Sequence, residues 1–379
     1  METEKEDLET LEEQTRIQLL TRGNYTCNTK PISREPNKPQ YQNILHMNNE
    51  IIENAQKIST ILKTIPHHEL YFQTIMETEN IELGKLNEHD IEECTKEDIS
   101  KKISQPVSKF VSLQVRYYDK LWKQEMLEIK QKYPTKTLQV FIDSVQYMIQ
   151  ILKYLQMKNI VHFNIHEKNL VCSSVRKTPV LTNYNLSFEI EDLKKEEIEN
   201  IFPNYEDYSV WPIEVYLASR ISNIKEQQPD SWASIIIENE QIEEWIQNFT
   251  QSTIFIKIAS EERRKLLKIQ FTQYFQPIIG KTLKLLYENI IESGKTWDIY
   301  SVGIIILDTF ILLKLHENIQ EYNFIREFID VIKSVVYANP NARPSIEYIE
   351  QAITQIFSKV PTETYTKYMN ESISYFVGK

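Results

Sequence analysis

Apolar residues recur at two different periods along this chain. In the first third they come in short runs: YQNILHM (41–47), LYFQTIM (70–76) and KFVSLQVRYY (109–118) read as strands, the last two separated by an acidic connector over 82–98. One helical stretch interrupts them, 50–65, with Ile51, Ile52, Ala55, Ile58, Ile61 and Leu62 along one side. Beyond Asp119 the period becomes that of helices. Positions 121–132 give one candidate and 138–157 a stronger one, with Val140, Phe141, Val145, Met148, Ile151, Leu152 and Leu155 at helical spacing. Two short strands, NLVC (169–172) and PVLT (179–182), flank a turn, and a charged loop covers 189–208. Helical patterns then run over 213–224, 238–248, 261–287, 297–316, 322–337 and 345–356. A strand-rich part followed by a helix-rich part predicts an α+β chain of two lobes dividing near 116–119: an acidic leader or polar helix at 1–20, a small lobe at 21–116 and a large lobe at 117–379.

Composition narrows the classes of function. The 379 residues are 41% hydrophobic and 26% charged, values of an ordinary globular protein. The formal net charge is -11 and no block of Lys or Arg occurs, which gives no footprint for nucleic acid. Three cysteines, Cys27, Cys94 and Cys172, lie far apart and match no metal-binding spacing, as in a reducing compartment. The acidic start METEKEDLETLEEQ is unlike a signal or transit peptide. The run VGIIILDTFILLKL (302–315) is too short to span a bilayer and contains Asp308, so a buried helix is expected and no membrane span. Only 6 glycines occur, whereas loops that wrap phosphates need that residue for close approach and positive φ.

The chemistry turns on IVHFNIHEKNLVC (160–172), followed by TNYNLSF (182–188). The first keeps the spacing of the protein-kinase catalytic loop, H-R-D-x-x-x-x-N, with His162 and Asn169 in place. Asn183-Tyr184-Asn185 falls where a kinase carries D-F-G, and WPIE (211–214) resembles the A-P-E segment. WDIYSVGIIILDTF (297–310) resembles the kinase helix that opens with a buried Asp, here Asp298, and NPNARPSIEYI (339–349) resembles the late Arg-Pro motif, here Arg343 and Pro344. Five motifs in order over some 190 residues resemble the protein-kinase-like superfamily. A GxYGCVxKP-type opening, here GNYTCNTKP (23–31), the Trp-Pro ending and a long helical insertion at about 215–295 are similar to the divergent serine/threonine kinase-like proteins of large DNA viruses.

That resemblance implies a two-lobed kinase-like fold and assigns each position a duty. In kinases the loop Asp is the general base, worth about 10²–10⁴-fold, and Asn164 stands there with an amide of no useful basicity. The D-F-G Asp binds Mg²⁺, and Asn183 offers one neutral oxygen to a cation that prefers anionic ones. The strand lysine aligns with Asn43, which leaves Glu50 or Glu53 on the next helix without its partner; Thr26 and Asn28 stand in the glycine-rich loop, where Gly23 persists. Asn185 ends the D-F-G equivalent. Retained are residues whose implied roles are structural: His162 under the metal-binding turn, Asp298 capping the catalytic-loop backbone, and Glu214 paired with Arg343. Phe163 replaces the Arg that receives an activation-loop phosphate.

The expectation is therefore a pseudokinase with no cofactor and no metal, serving as a protein-binding scaffold or regulatory partner in a host cytoplasm, viral factory or particle. Its protein partner and oligomeric state are open. The rival is a divergent kinase with unorthodox metal ligation, and His166 with Lys168 is its best support, as cations near an anionic ligand. In the insertion, Trp232, Trp245, Phe271, Tyr274 and Phe275 either pack its helices on the large lobe or form a partner surface.

Overall fold

The computed structural model describes residues 19–22, 26–29, 41–46, 49–82, 109–172, 177–194, 210–316 and 323–360. The leader before residue 19 and the expectation at Gly23 lie outside them. Two compact units form: residues 1–119 with 182–185, and residues 120–181 with 186–379.

The first unit is a five-stranded antiparallel sheet. Its strands are β1 (Leu19–Arg22), β2 (Thr26–Thr29), β3 (Tyr41–His46), β4 (Ile75–Glu82) and β5 (Lys109–Arg116), in the order β1-β2-β3-β5-β4. Alternation along β5 buries Val111, Leu113 and Val115 on one face. Helix α1 (Asn49–Leu62) turns Ile52, Ala55, Ile58 and Leu62 inward at the spacing of one helical face. Its buried Ser59 hydroxyl accepts a hydrogen bond from Ile75 N at 2.8 Å, tying the helix to the start of β4. That strand begins five residues later than the apolar run at 70–76 suggests, because Leu70 closes a 3₁₀ turn entered through the left-handed His67 (φ 55°).

The second unit is mostly helical. It opens with β6 (Lys120–Leu121), α2 (Trp122–Lys132) and α3 (Thr137–Met157). All seven apolar positions of α3 named from periodicity are buried. Short strands follow: β7 (Ile160–Val161), β8 (Leu170–Cys172), β9 (Val180–Leu181) and β10 (Phe188–Glu189), paired as β6-β8-β9 and β7-β10. Helix α4 (Ile213–Gln227) leads into the insertion.

The insertion contains α5 (Asn239–Thr250), α6 (Thr253–Ile258), α7 (Glu261–Phe275) and α8 (Leu283–Glu292). The single helix expected over 261–287 is thus two. Pro277 lies in the 3₁₀ turn Gln276–Ile278, Gly280 at φ 77° reverses the chain, and the Thr282 side chain accepts from Leu285 N to start α8. The reversal is held by Ile237 N donating to Lys281 O and Gly280 N to Ile237 O. Phe249 centres the packing, 5.1 Å from the Phe255 ring and 6.0 Å from Phe271. Trp245, Phe271 and Phe275 are buried, while Trp232 and Tyr274 are only half-buried.

Helix α9 (Trp297–Leu312) is buried from Trp297 to Phe310 on every side, which is why its sequence looks like a membrane segment. No helix among the described residues is long and apolar enough to cross a membrane. Helices α10 (Asn323–Val336) and α11 (Ile346–Ser358) complete the unit, and Gly303 lets α10 approach α9 closely: a Cβ there would lie 2.9 Å from Val336 Cγ2. One unit is small and strand-rich and the other large and helical, so the chain is α+β.

Candidate functional site

The loop 162–169 leaves β7 and returns as β8, and nearly every part of its backbone is held. Asp298, in the first turn of α9, accepts from His162 N through Oδ2 at 2.6 Å and from Phe163 N through Oδ1 at 2.9 Å. Burial pushes the Asp298 carboxyl up to about 6, against the pull of those two N–H groups. The Trp211 indole donates to Phe163 O at 2.7 Å, Ser187 Oγ donates to His162 O at 3.1 Å, and Asn164 N donates to His162 Nδ1 at 3.2 Å. Asn169 Nδ2 donates to Asn164 O at 2.8 Å, closing the loop on itself.

Phe163 sits at φ 63°, a conformation costly for a bulky residue that only a surrounding lattice of contacts sustains. That lattice is aromatic as well as hydrogen-bonded. Phe163 stacks on Trp211 with centroids 4.8 Å apart and 22° between planes, and lies 5.6 Å from both Trp297 and Phe188. Where a kinase would place a phosphate-receiving Arg, this chain has a core residue.

A second locus fixes the start of α4. Arg343 donates from Nη1 to Glu214 Oε1 at 2.6 Å and from Nη2 to Oε2 at 3.2 Å, and from Nη1 to Thr296 Oγ1, also at 2.6 Å. Its guanidinium lies 5.1 Å from the Tyr300 ring centre. Both charged side chains are 1% exposed, so the pair has no water to replace either partner.

The structure therefore joins His162, Asn164, Asn169 and Asp298 in one network, and Glu214 and Arg343 in another. Asn43, Asn183 and Asn185 belong to the first unit. Asn43 is half-buried in mid-β3, opposite Gln114 of β5. Asn183 is exposed at φ 67°, and its Oδ1 accepts from Asn185 N at 3.5 Å, a local turn of the kind Asn favours. Between them Tyr184 is buried, which raises its phenol well above the ordinary range. Glu53 on α1 is exposed and forms no ion pair among the described residues.

Asn169 and Asn183 each carry one neutral amide oxygen, and among the described residues no group of three or more His, Cys, Asp or Glu side chains could hold a metal ion. Nor does Asn164 offer a base. His166 is no cation near neutrality: burial first, then the neighbouring Lys168 charge, pushes its imidazole down to about 4, and its Nδ1 accepts from Lys168 N at 3.2 Å.

Sequence reasoning missed Trp211 and Ser187 as anchors of this loop. The Trp-Pro departure from the usual segment and the Phe163 departure were both visible as separate oddities; their stacking was not.

No protein-family model and no curated protein matches the chain. Many solved structures do, among them the autoinhibited serine kinase domain of the giant muscle protein titin: 12% identity, 91% of this chain and 81% of that chain covered, TM-score 0.44.

Proposed function

We propose that this chain is a pseudokinase: a kinase-like protein that transfers no phosphate and acts by binding another protein. One contrast carries the reading. The positions whose duties are structural (His162, Asp298, Glu214, Arg343) are all buried and bonded, while asparagine stands at the general-base and metal-ligand positions Asn164 and Asn183 and at the lysine position Asn43. An amide removes base catalysis worth about 10²–10⁴-fold, and the lost cation and metal ligand remove electrostatic stabilisation worth several kcal/mol more. Independent losses multiply, so transfer becomes negligible beside that of an intact site. The resemblance of GNYTCNTKP and of the Trp-Pro segment to kinase-like proteins of large DNA viruses supports the reading of a scaffold in such a virus, in its factory or particle.

The test is a thermal-shift titration of the full chain with ATP and Mg²⁺ or Mn²⁺. The melting temperature stays where it is, and Asn164→Asp with Asn183→Asp together restore no transfer of labelled phosphate. A saturable rise in melting temperature, or transfer by the doubly substituted chain, would favour the rival reading of a divergent kinase.

A further inference from the structure

Within the helical unit a cavity of about 470 Å³ opens between α9, the insertion helix α6 and the loop at His166–Lys168. Its size is that of a ligand-binding pocket. Part of its wall is apolar, from Val210, Ile254, Ile304 and Ile305. The rest is charged, and its sign is opposite to that of the whole chain. Three lysines, Lys123, Lys168 and Lys257, face two carboxylates, Glu167 and Asp308, in a protein of formal net charge -11. His166, also in the wall, is neutral near pH 7.

The carboxylates are already engaged. Asp308 receives Lys123 Nζ at 2.8 Å and, on its other oxygen, Lys257; Lys123 also meets Glu167. Burial alone would raise the Asp308 carboxyl, yet the hydrogen bonds from Lys123 and Lys257 hold it below its ordinary range. Lys168 is exposed and forms no ion pair among the described residues, so one positive charge is left over. The second observation is Thr309. It is fully buried, lines the cavity, and its hydroxyl has no hydrogen-bond partner. A buried hydroxyl without a partner costs about 1–3 kcal/mol, and a ligand oxygen entering the cavity would remove that cost.

We propose that this pocket receives an acidic peptide segment of the partner protein, with a carboxylate placed among Lys168, Lys257 and the Thr309 hydroxyl and an aliphatic side chain against Ile254 and Ile304. Charge complementarity selects an anion, and the apolar wall selects a side-chain-bearing peptide over a bare ion. Lys257 and Ile254 belong to the insertion, so the insertion builds the docking site. The inference deepens the binding role proposed above and rests on it. The nucleotide titration and the peptide titration fail independently, because the first makes no use of this pocket.

A short fluorescein-labelled peptide of alternating glutamate and leucine, titrated with the full chain, gives a saturable rise in anisotropy; its lysine-for-glutamate counterpart gives none. Lys168→Glu weakens binding about tenfold, the effect of about 1.4 kcal/mol, and Thr309→Val, which removes only a hydroxyl, about fivefold. Neither change breaks an ion pair or opens a void, and Thr309→Val also removes the unpartnered hydroxyl, so Lys168→Glu melts near the parent and Thr309→Val at or above it, and a binding loss reads the pocket itself. Absence of saturable binding, equal binding of the lysine peptide, or binding indifferent to both substitutions overturns the proposal. Displacement by glutarate at concentrations equal to the peptide's would assign the pocket to a small carboxylate and overturn it as well.

Discussion

Arg343→Met is the sharpest test of how the retained frame is held. The substitution removes the cation facing Glu214 at 2.6 and 3.2 Å in a site where both side chains are 1% exposed. No water reaches the abandoned carboxylate, and breaking one side of such a pair costs about 3–5 kcal/mol. The lost bond to Thr296 Oγ1 and the contact with Tyr300 fall within that figure. For a unit of this size each kcal/mol lowers the melting temperature by about 2–4 °C, so a drop of roughly 6–20 °C follows. Calorimetry gives the shift, and urea unfolding gives the free energy with a check that the m-value is unchanged. The decisive arm is the double variant, Arg343→Met with Glu214→Leu, which replaces both charges by apolar groups of similar volume. It recovers most of the loss, because the cost lies in the orphaned charge and only weakly in the missing pair. A single variant that loses under about 1 kcal/mol, or a double variant no better than the single, would refute the reasoning.

Three other substitutions probe separate parts of the fold. Burial pushes the Asp143 carboxyl up to about 6 despite the bond from Gln139 at 2.7 Å. The folded state therefore holds the proton more tightly than the unfolded chain, whose carboxyl titrates at about 3.9, and this group's contribution to stability falls as pH rises from about 4 to 6. The gap sets a ceiling near 3 kcal/mol, which partial exposure reduces to about 1–2; Asp143→Asn raises stability by that amount at pH 7 and by nothing at pH 4, and an equal effect at both would refute it. Phe163→Arg puts a cation into a closed aromatic cluster and destabilises by about 3 kcal/mol or more, read by urea unfolding; an unchanged midpoint would mean the side chain has an exit to solvent. Gly303→Ala gains up to about 1 kcal/mol of helix propensity yet drives a methyl to 2.9 Å from Val336 Cγ2, for a net loss of about 1 kcal/mol by the same measurement; a gain would mean α10 can move away.

What could be read in the sequence were the parts set by local periodicity and by fixed spacing. Helix α3 was legible because its apolar residues recur at helical intervals, and the 162–169 loop because its His and Asn keep their interval. The break inside 261–287 was not, since Phe271, Phe275 and Leu283 keep a helical rhythm across it and only Pro277 and Gly280 mark the turn. The small helix α6 was missed because six residues are too few to show a period. Of the site, residue identities were legible and their partners were not. Nothing in spacing says that Thr309 would be left without a partner, or that a lysine of the insertion would reach Asp308. Such facts arise from contacts between segments far apart in the chain.

On the pseudokinase reading proposed above, the Phe163–Trp211 stack bears on whether single changes could bring back phosphate transfer. A loop that carries Arg at this position needs a polar route to an activation-loop anion, whereas here the same position, with φ 63°, is closed by three aromatic rings and by bonds at both its N–H and its C=O. An acid placed at Asn164 would therefore stand beside a residue of the core, Phe163. The aromatic cluster and the hydrogen bonds at Phe163 hold this part of the loop with the chain's own residues. A protein that works by presenting a fixed surface gains from that, because a docking face that is already ordered loses less entropy when its partner arrives. On the pseudokinase reading proposed above, the frame and the missing acids are two aspects of one adaptation, in which stability without ligand replaces control by ligand.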